Sequence, residues 1–316
     1  NGVTFPPEDI VVGLGAKQLI FEAFAATLNE GDEVIVPAPF WVSYPDIVRL
    51  NGGEPVIVPC GRDAGFKLTG AVLEAAITSR TRWVILCTPS NPSGAVYSRE
   101  ELSELAAVLL RHPHVAALTD DIYEHLVYDG ATVDNILRVE PALEGRVVLI
   151  NGLSKAYAMT GWRIGFAAGP SHLIAAITKL LGQSTTCPCS FSQAAAVEAL
   201  NGDQQPVRDM VATYERRRNL IHERLSRIPG LRCDRPAGAF YIYPDVSALI
   251  GKITPGGETL DSDRDVALYL LREAGVAVMD GASYGMSPYL RLSFATSEDL
   301  IAEGCDLIAQ ACAALK

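Results

Sequence analysis

The stretch "RVVLINGLSKAYAMTGWRIGF", residues 146–166, runs an apolar segment straight into a lone lysine among small residues. The segment "VVLI" has no polar alternation, the pattern of a strand buried on both faces of a parallel sheet. Lys155 follows where that strand ends, and Arg163 comes eight residues later, just after Gly161 and Trp162. Ligands of open α/β sheets bind beyond the carboxyl ends of the strands. An amine in small, water-poor surroundings has its ammonium form disfavoured, which frees the neutral amine to attack a carbonyl carbon. Arg163 offers a planar, permanently charged fork that suits a phosphate.

Working outward, the same strand pattern recurs in "DEVIVPAP" (32–39), "EPVIVPC" (54–60), "RWVILCTP" (82–89) and "VAALTDD" (115–121). Between these runs lie stretches with apolar residues at helical spacing, at 16–29, 70–79 and 98–112. The last opens on Ser98 with Glu101 three residues on, a capping-box signature. Such alternation implies βαβ units and a mostly parallel sheet covered by helices on both faces. A long amphipathic pattern over 203–230 then leads to further short strands and to helices at 263–274 and 297–315, the order of a smaller α+β unit. The expected division is 1–205 for the large unit and 206–316 for the connecting helix and the small one.

Composition bounds the possibilities. At 316 residues with 49% hydrophobic and 20% charged side chains, the chain can bury a large core. A formal net charge of −11 and the lack of a basic cluster argue against a nucleic-acid partner. Seven scattered cysteines, several of them in apolar runs, show no paired zinc spacing, so no metal is expected and a reducing, cytoplasmic compartment is. The five histidines match neither metal nor triad spacing, and "GLGAK" (13–17) lacks the spacing of a dinucleotide fingerprint. No apolar run reaches the ~18 residues of a membrane helix, and no signal peptide is visible.

The polar residues that could carry chemistry sit at strand ends: Asn91 in "PSNPSG", Asp120 and Tyr123 in "TDDIYEH", and Lys155. Topology gathers these at one edge of the sheet. An acid to hold a ring nitrogen protonated, a phenol, a Schiff-base amine and a phosphate fork are what pyridoxal 5'-phosphate requires.

Taken with "YLRLSFA" (289–295), these segments resemble, in order and spacing, the signatures of the class I/II aminotransferases, pyridoxal-phosphate enzymes of fold type I. "VGLGAKQLIFEAF" and "GDEVIVPAPFWVSYPDIVRLNGGEPV" are similar to the bacterial aspartate (and prephenate) branch, and the resemblance runs through the whole chain. It implies a three-layer α/β/α fold with a smaller C-terminal α+β domain, and a homodimer with active sites at the subunit interface. It implies transfer of an amino group between an L-amino acid, aspartate or glutamate by preference, and a 2-oxo acid by a ping-pong route.

Carried over residue by residue, the resemblance assigns Lys155 to the Schiff base and to proton transfer, and Asp120 to the pyridine nitrogen. The acid–x–x–Tyr spacing selects Asp120 over its neighbour Asp121. Tyr123 and Asn91 are assigned to the cofactor's phenolic oxygen, Trp41 to stacking on the ring, and Arg163 with Gly15, Ala16 and Lys17 to the phosphate. Arg291 is assigned to the substrate α-carboxylate and Lys17 also to a distal carboxylate, with Trp41 and Asn91 lining the substrate side. Gly161 and the small residues around it are expected to let the backbone pass close to the bound molecule.

Two departures stand out. Where many relatives carry a hydroxyl three residues before the lysine this chain has Gly152, so one phosphate contact is expected to be absent, or supplied by Ser154 or by another chain. The chain also enters a strand almost at once, at "PPEDIVVGLG" (6–15), and the family's N-terminal arm is expected to lie outside this sequence.

The same signatures fit an aromatic or prephenate aminotransferase, or a carbon–sulfur β-lyase, on this scaffold. A ligand-sensing domain of a transcriptional regulator calls for a basic helix-turn-helix upstream, and the branch-specific "PAPFWVSYP" (37–45) points away from it.

Overall fold

The computed structural model describes residues 2–316. In chain order the elements are β1 (Ile10–Gly13), α1 (Ala16–Ala25), β2 (Glu33–Ala38), α2 (Ser43–Leu50), β3 (Glu54–Pro59), α3 (Gly70–Ala76), β4 (Thr81–Cys87) and α4 (Arg99–Arg111). There follow β5 (Ala116–Asp120), α5 (Ile136–Val139), β6 (Val147–Gly152), β7 (Gly165–Ala168), α6 (Ser171–Ser184), α7 (Ser190–Asn201) and α8 (Gln205–Leu225). The chain closes with β8 (Tyr241–Ile242), α9 (Asp263–Ala274), β9 (Met279–Asp280), β10 (Leu290–Ser293) and α10 (Glu298–Ala313).

Seven strands form one sheet in the order β1-β7-β6-β5-β4-β2-β3. From β3 to β6 every neighbouring pair is parallel, and β7 runs antiparallel to both β6 and β1. Alternate residues of a strand point to opposite faces, and the strands keep that rule while staying apolar on both sides. Val34 and Val36 of β2 join a cluster with Leu19 and Ile20 of α1 and Ile174 and Ile177 of α6, whereas Ile35 joins Leu73 of α3 and Leu102, Leu105 and Leu109 of α4. These are the two flanking helical layers. The α4 cap forms as expected: Ser98 Oγ accepts from the Glu101 N–H at 3.2 Å, and the Glu101 carboxylate accepts from the Ser98 N–H at 2.7 Å.

A second, three-stranded sheet, β8-β10-β9, is antiparallel throughout. It does not stand apart from the large sheet, because one apolar cluster runs from Leu118 and Ile150 to Ile242 and Leu290 and on to Ile308 of α10. The arm α8 is shorter than its sequence pattern, ending at Leu225 ahead of Pro229 and Gly230. The fully buried Arg218 pins that arm: its guanidinium donates to both carboxylate oxygens of Asp129 at 2.8 and 3.0 Å and stacks over Tyr128. Among the described residues, no helix is long and apolar enough to cross a membrane.

Candidate active site

The carboxyl ends of β2, β4, β5 and β6 open onto a cavity of about 340 Å³. Asn91, Asp120, Tyr123 and Lys155 reach it from the loops and ends of β4, β5 and β6, and Trp41 from the segment after β2. Ala16 and Lys17 at the first turn of α1, Ser154, Arg163 and, from β10, Arg291 complete the set expected from sequence. Of those residues only Gly15 is not in the wall. It lies behind Arg163, where a Cβ would fall 2.6 Å from Nη2, and its φ of 90° further favours glycine.

The corner beside Arg163 is built from backbone as much as from side chains. Arg163 donates from Nη2 to the Leu14 carbonyl and from Nη1 to the Thr160 carbonyl, both at 2.9 Å, which fixes the guanidinium beside the start of α1. A helix start carries unpaired N–H groups and a partial positive charge, so it favours an anion. Gly165 brings β7 against that start, since a Cβ there would lie 2.8 Å from the Ala16 nitrogen. Gly152 faces Gly165 in the β6–β7 register, and its own Cβ would sit 3.1 Å from Gly165 Cα. The hydroxyl missing at 152 therefore belongs to a place where two backbones crowd; Ser154 and Thr160 line the cavity nearby. Gly161 has open space around it, while the close contacts of this corner are made at Gly15, Gly152 and Gly165.

Asp120 ends β5 and is buried, and the Tyr44 hydroxyl donates to its Oδ2 at 2.6 Å. Burial pushes the Asp120 carboxyl pKa up, while Tyr44's hydrogen bond, the Ile122 N–H and the Lys155 charge pull it back. The Lys155 amine is held below the ordinary lysine range by burial and by the positive charges of Arg291 and Arg163, against the pull of Asp120. Lys17 Nζ lies 4.9 Å from the Trp41 ring centroid, and Trp41 meets Tyr44 edge-on. Arg291 donates to Asn91 Oδ1 at 3.0 Å and lies between the rings of Tyr241 and Tyr284, with its buried Nε lacking a partner.

Tyr44, Cys87, Ile122, Thr160 and Tyr241 also line the cavity and were not expected. Tyr44 had one signal, its place three residues after Trp41, one helical turn on. Tyr241 had none, because an alternating "YIY" reads as ordinary strand.

The charge balance is the informative feature. Four basic side chains, Lys17, Lys155, Arg163 and Arg291, face one carboxylate, Asp120, in an otherwise acidic protein. Among the described residues none of the four forms a salt bridge within 4 Å. Such a cavity, with a reactive amine at strand ends, is that of an enzyme acting on small anionic molecules.

The model of the family "Aminotransferase class I and II" matches residues 1–308, and this chain belongs to that family. It is 50% identical over 312 residues to the aspartate aminotransferase of Rhizobium meliloti (strain 1021), covering 99% of this chain and 76% of that protein. It is also 50% identical over 315 residues to the aspartate/prephenate aminotransferase of Cereibacter sphaeroides, covering 100% of this chain and 79% of that protein. The crystal structure of the aspartate aminotransferase from Rhizobium meliloti superposes with a TM-score of 0.98 at 49% identity, covering 100% of this chain and 79% of that one. The protein is thus a pyridoxal-phosphate-dependent aminotransferase of fold type I. The donor set fits the cofactor: an arginine beside a helix start for a phosphate, a depressed amine for an aldehyde, and a buried carboxyl for a pyridinium.

Tyr44→Phe removes the donor to Asp120 and raises the Asp120 pKa further. Because the folded pKa already exceeds the unfolded one, stability falls as pH rises between the two values, and the variant extends that window upward. A lost hydrogen bond to a charged group costs about 1.5–3 kcal/mol. Urea titrations across pH should show the difference between wild type and variant growing from acid to neutral pH. A constant difference would count against the assignment.

Proposed function

We propose that the preferred substrates are dicarboxylic: aspartate or glutamate as donor, oxaloacetate or 2-oxoglutarate as acceptor. One observation carries this reading, the surplus of cations in the cavity. A phosphate accounts for Arg163 and the start of α1, and an α-carboxylate for Arg291. Lys17 is left over, beside Trp41, for a second carboxylate. The names of the relatives support aspartate, and one of them also names prephenate, which keeps an aromatic-precursor acceptor as the second reading.

The geometry supports the following roles. When bound, the cofactor supplies an electron sink for the bond broken at the substrate's α-carbon. Asp120, oriented by Tyr44, holds the pyridine nitrogen protonated. Asn91 and Tyr123 donate to the phenolic oxygen, and Trp41 stacks on the ring face. Arg163, with Ser154 and the backbone donors of Gly15, Ala16 and Lys17 at the phosphate corner, anchors the opposite end. Arg291, flanked by two rings and held by Asn91, grips the α-carboxylate as a bidentate pair and so fixes the α-carbon. Lys155 Nζ would hold the cofactor covalently; its lowered pKa raises the share of neutral amine able to take the α-proton and return it.

We also infer a homodimer. Helix α7 buries the small side chains Ser192 and Ala196 and leaves Phe191 70%, Val197 60% and Leu200 45% exposed. A helix that leaves large apolar side chains exposed beside its buried face calls for cover over them. The two units are read as 1–205 and 206–316, each with its own sheet, and the seven free cysteines support a cytoplasmic location.

A donor and acceptor panel on the holoenzyme tests the substrate reading. Lys155→Ala should abolish both transamination and the visible absorbance of the bound cofactor; retained activity would end the assignment. Lys17→Ala should lower kcat/KM for aspartate about tenfold or more, the worth of one charge-assisted contact, with aromatic substrates little affected. An equal loss on both would favour the second reading. Phe191→Asp should halve the mass seen by light scattering, and a monomeric wild type would overturn the dimer. Limited proteolysis should cut first near 202–206; first cuts inside either unit would contradict the boundary.

A further inference from the structure

We propose that Tyr241 is a positioning residue that couples the two ends of the active site: its hydroxyl orients that of Tyr123, and its ring holds the Arg291 guanidinium. The inference rests on the roles proposed above for Tyr123 and Arg291.

Tyr241 belongs to the small sheet, where β8 pairs with β10 in the register Ser293↔Tyr241 and Leu292↔Ile242. Arg291 is thus next to the strand pair that carries Tyr241. Its guanidinium carbon lies 4.4 Å from the Tyr241 centroid and 4.9 Å from that of Tyr284. Two rings cover the faces of the fork and Asn91 takes Nη1, while the buried Nε has no partner. A guanidinium stacked in this way keeps an N–H edge for a planar, bidentate acceptor.

The far end of the same side chain crosses to the large sheet. The Tyr241 and Tyr123 hydroxyls are 3.1 Å apart and both residues are buried, with ring centroids at 6.0 Å and 76°. A phenol has one proton to give. If Tyr123 spends its proton on the cofactor's phenolic oxygen, the contact between the hydroxyls is made only by Tyr241 donating. Donation to Tyr123 Oη polarises its O–H and strengthens the bond it makes in turn. The charged and titratable groups facing the pair are Arg291 from β10, Cys87 from β4, Asp120 from β5, Tyr214 from α8 and Tyr284 ahead of β10.

The two contacts use different parts of one side chain, so substitution separates them. Tyr241→Phe keeps the ring and removes the hydroxyl. Spectrophotometric titration of the holoenzyme should show the pKa of the bound chromophore raised by about half a pH unit, part of what one hydrogen bond is worth. KM for the amino-acid substrate should stay within about twofold. Tyr241→Met and Tyr241→Leu remove the ring as well. They should show the same spectral shift and a KM raised about tenfold, the value of a desolvated cation–ring contact. If Tyr241→Phe leaves the chromophore pKa unchanged while wild type titrates normally, the coupling to Tyr123 is overturned. If whichever of the Met and Leu variants folds matches the Tyr241→Phe KM, the hold on Arg291 is overturned. A wild type that forms no coloured complex with pyridoxal phosphate would overturn the reading of the cavity itself, and this inference with it.

Discussion

Uncompensated positive charge at one sheet edge is the constraint from which the rest of this structure follows. Four cations share the cavity with one carboxylate, and none is neutralised by an ion pair among the described residues. Like charges so placed repel, and the fold holds them there by fixing each from behind. Arg163 is tied to two backbone carbonyls, Arg291 is stacked between rings, Lys17 leans on Trp41, and Lys155 sits where burial weakens its charge. The parallel sheet makes this possible, because strands that run the same way deliver their loops to the same edge. The lone acid, Asp120, is set by the same logic: it is buried, yet a phenol donor keeps it oriented.

Much of the large sheet was legible in the residues themselves. Fully apolar runs such as those at 82–89 and 146–152 cannot face water on either side, and their loops begin where the turn residues begin. The capping box at Ser98 and Glu101 fixed a helix start to the residue. What stayed hidden was blurred locally. Helix α7 mixes exposed Phe191, Val197 and Leu200 with Gln193 and Glu198, and α2 places Pro45 in its first turn, where proline looks like a breaker but is tolerated. The two-residue strands β8 and β9 lie inside segments read as short strands, and only their brevity went unread.

The site residues divide along the same line. Those named by local motif, such as Lys155, Asp120 and Asn91, were within reach because strand ends announce themselves. Tyr44 and Tyr241 owe their importance to partners 76 and 118 residues away in sequence, and a single chain carries no sign of such pairings. The backbone crowding at Gly152 and Gly165 was likewise unreadable, since it is made between strands that are neighbours only in the folded sheet.

The crowding of those backbones also shapes what this protein could become. At Gly15, Gly152 and Gly165 an added methyl meets a guanidinium, a Cα or a main-chain nitrogen, so the corner between α1, β6 and β7 has almost no neighbouring sequences that fold equally well. Lys17 and Trp41 meet the cavity with side chains that lie outside every strand. Divergence within this architecture is therefore channelled: the crowded corner is frozen by geometry, and change falls to side chains such as these.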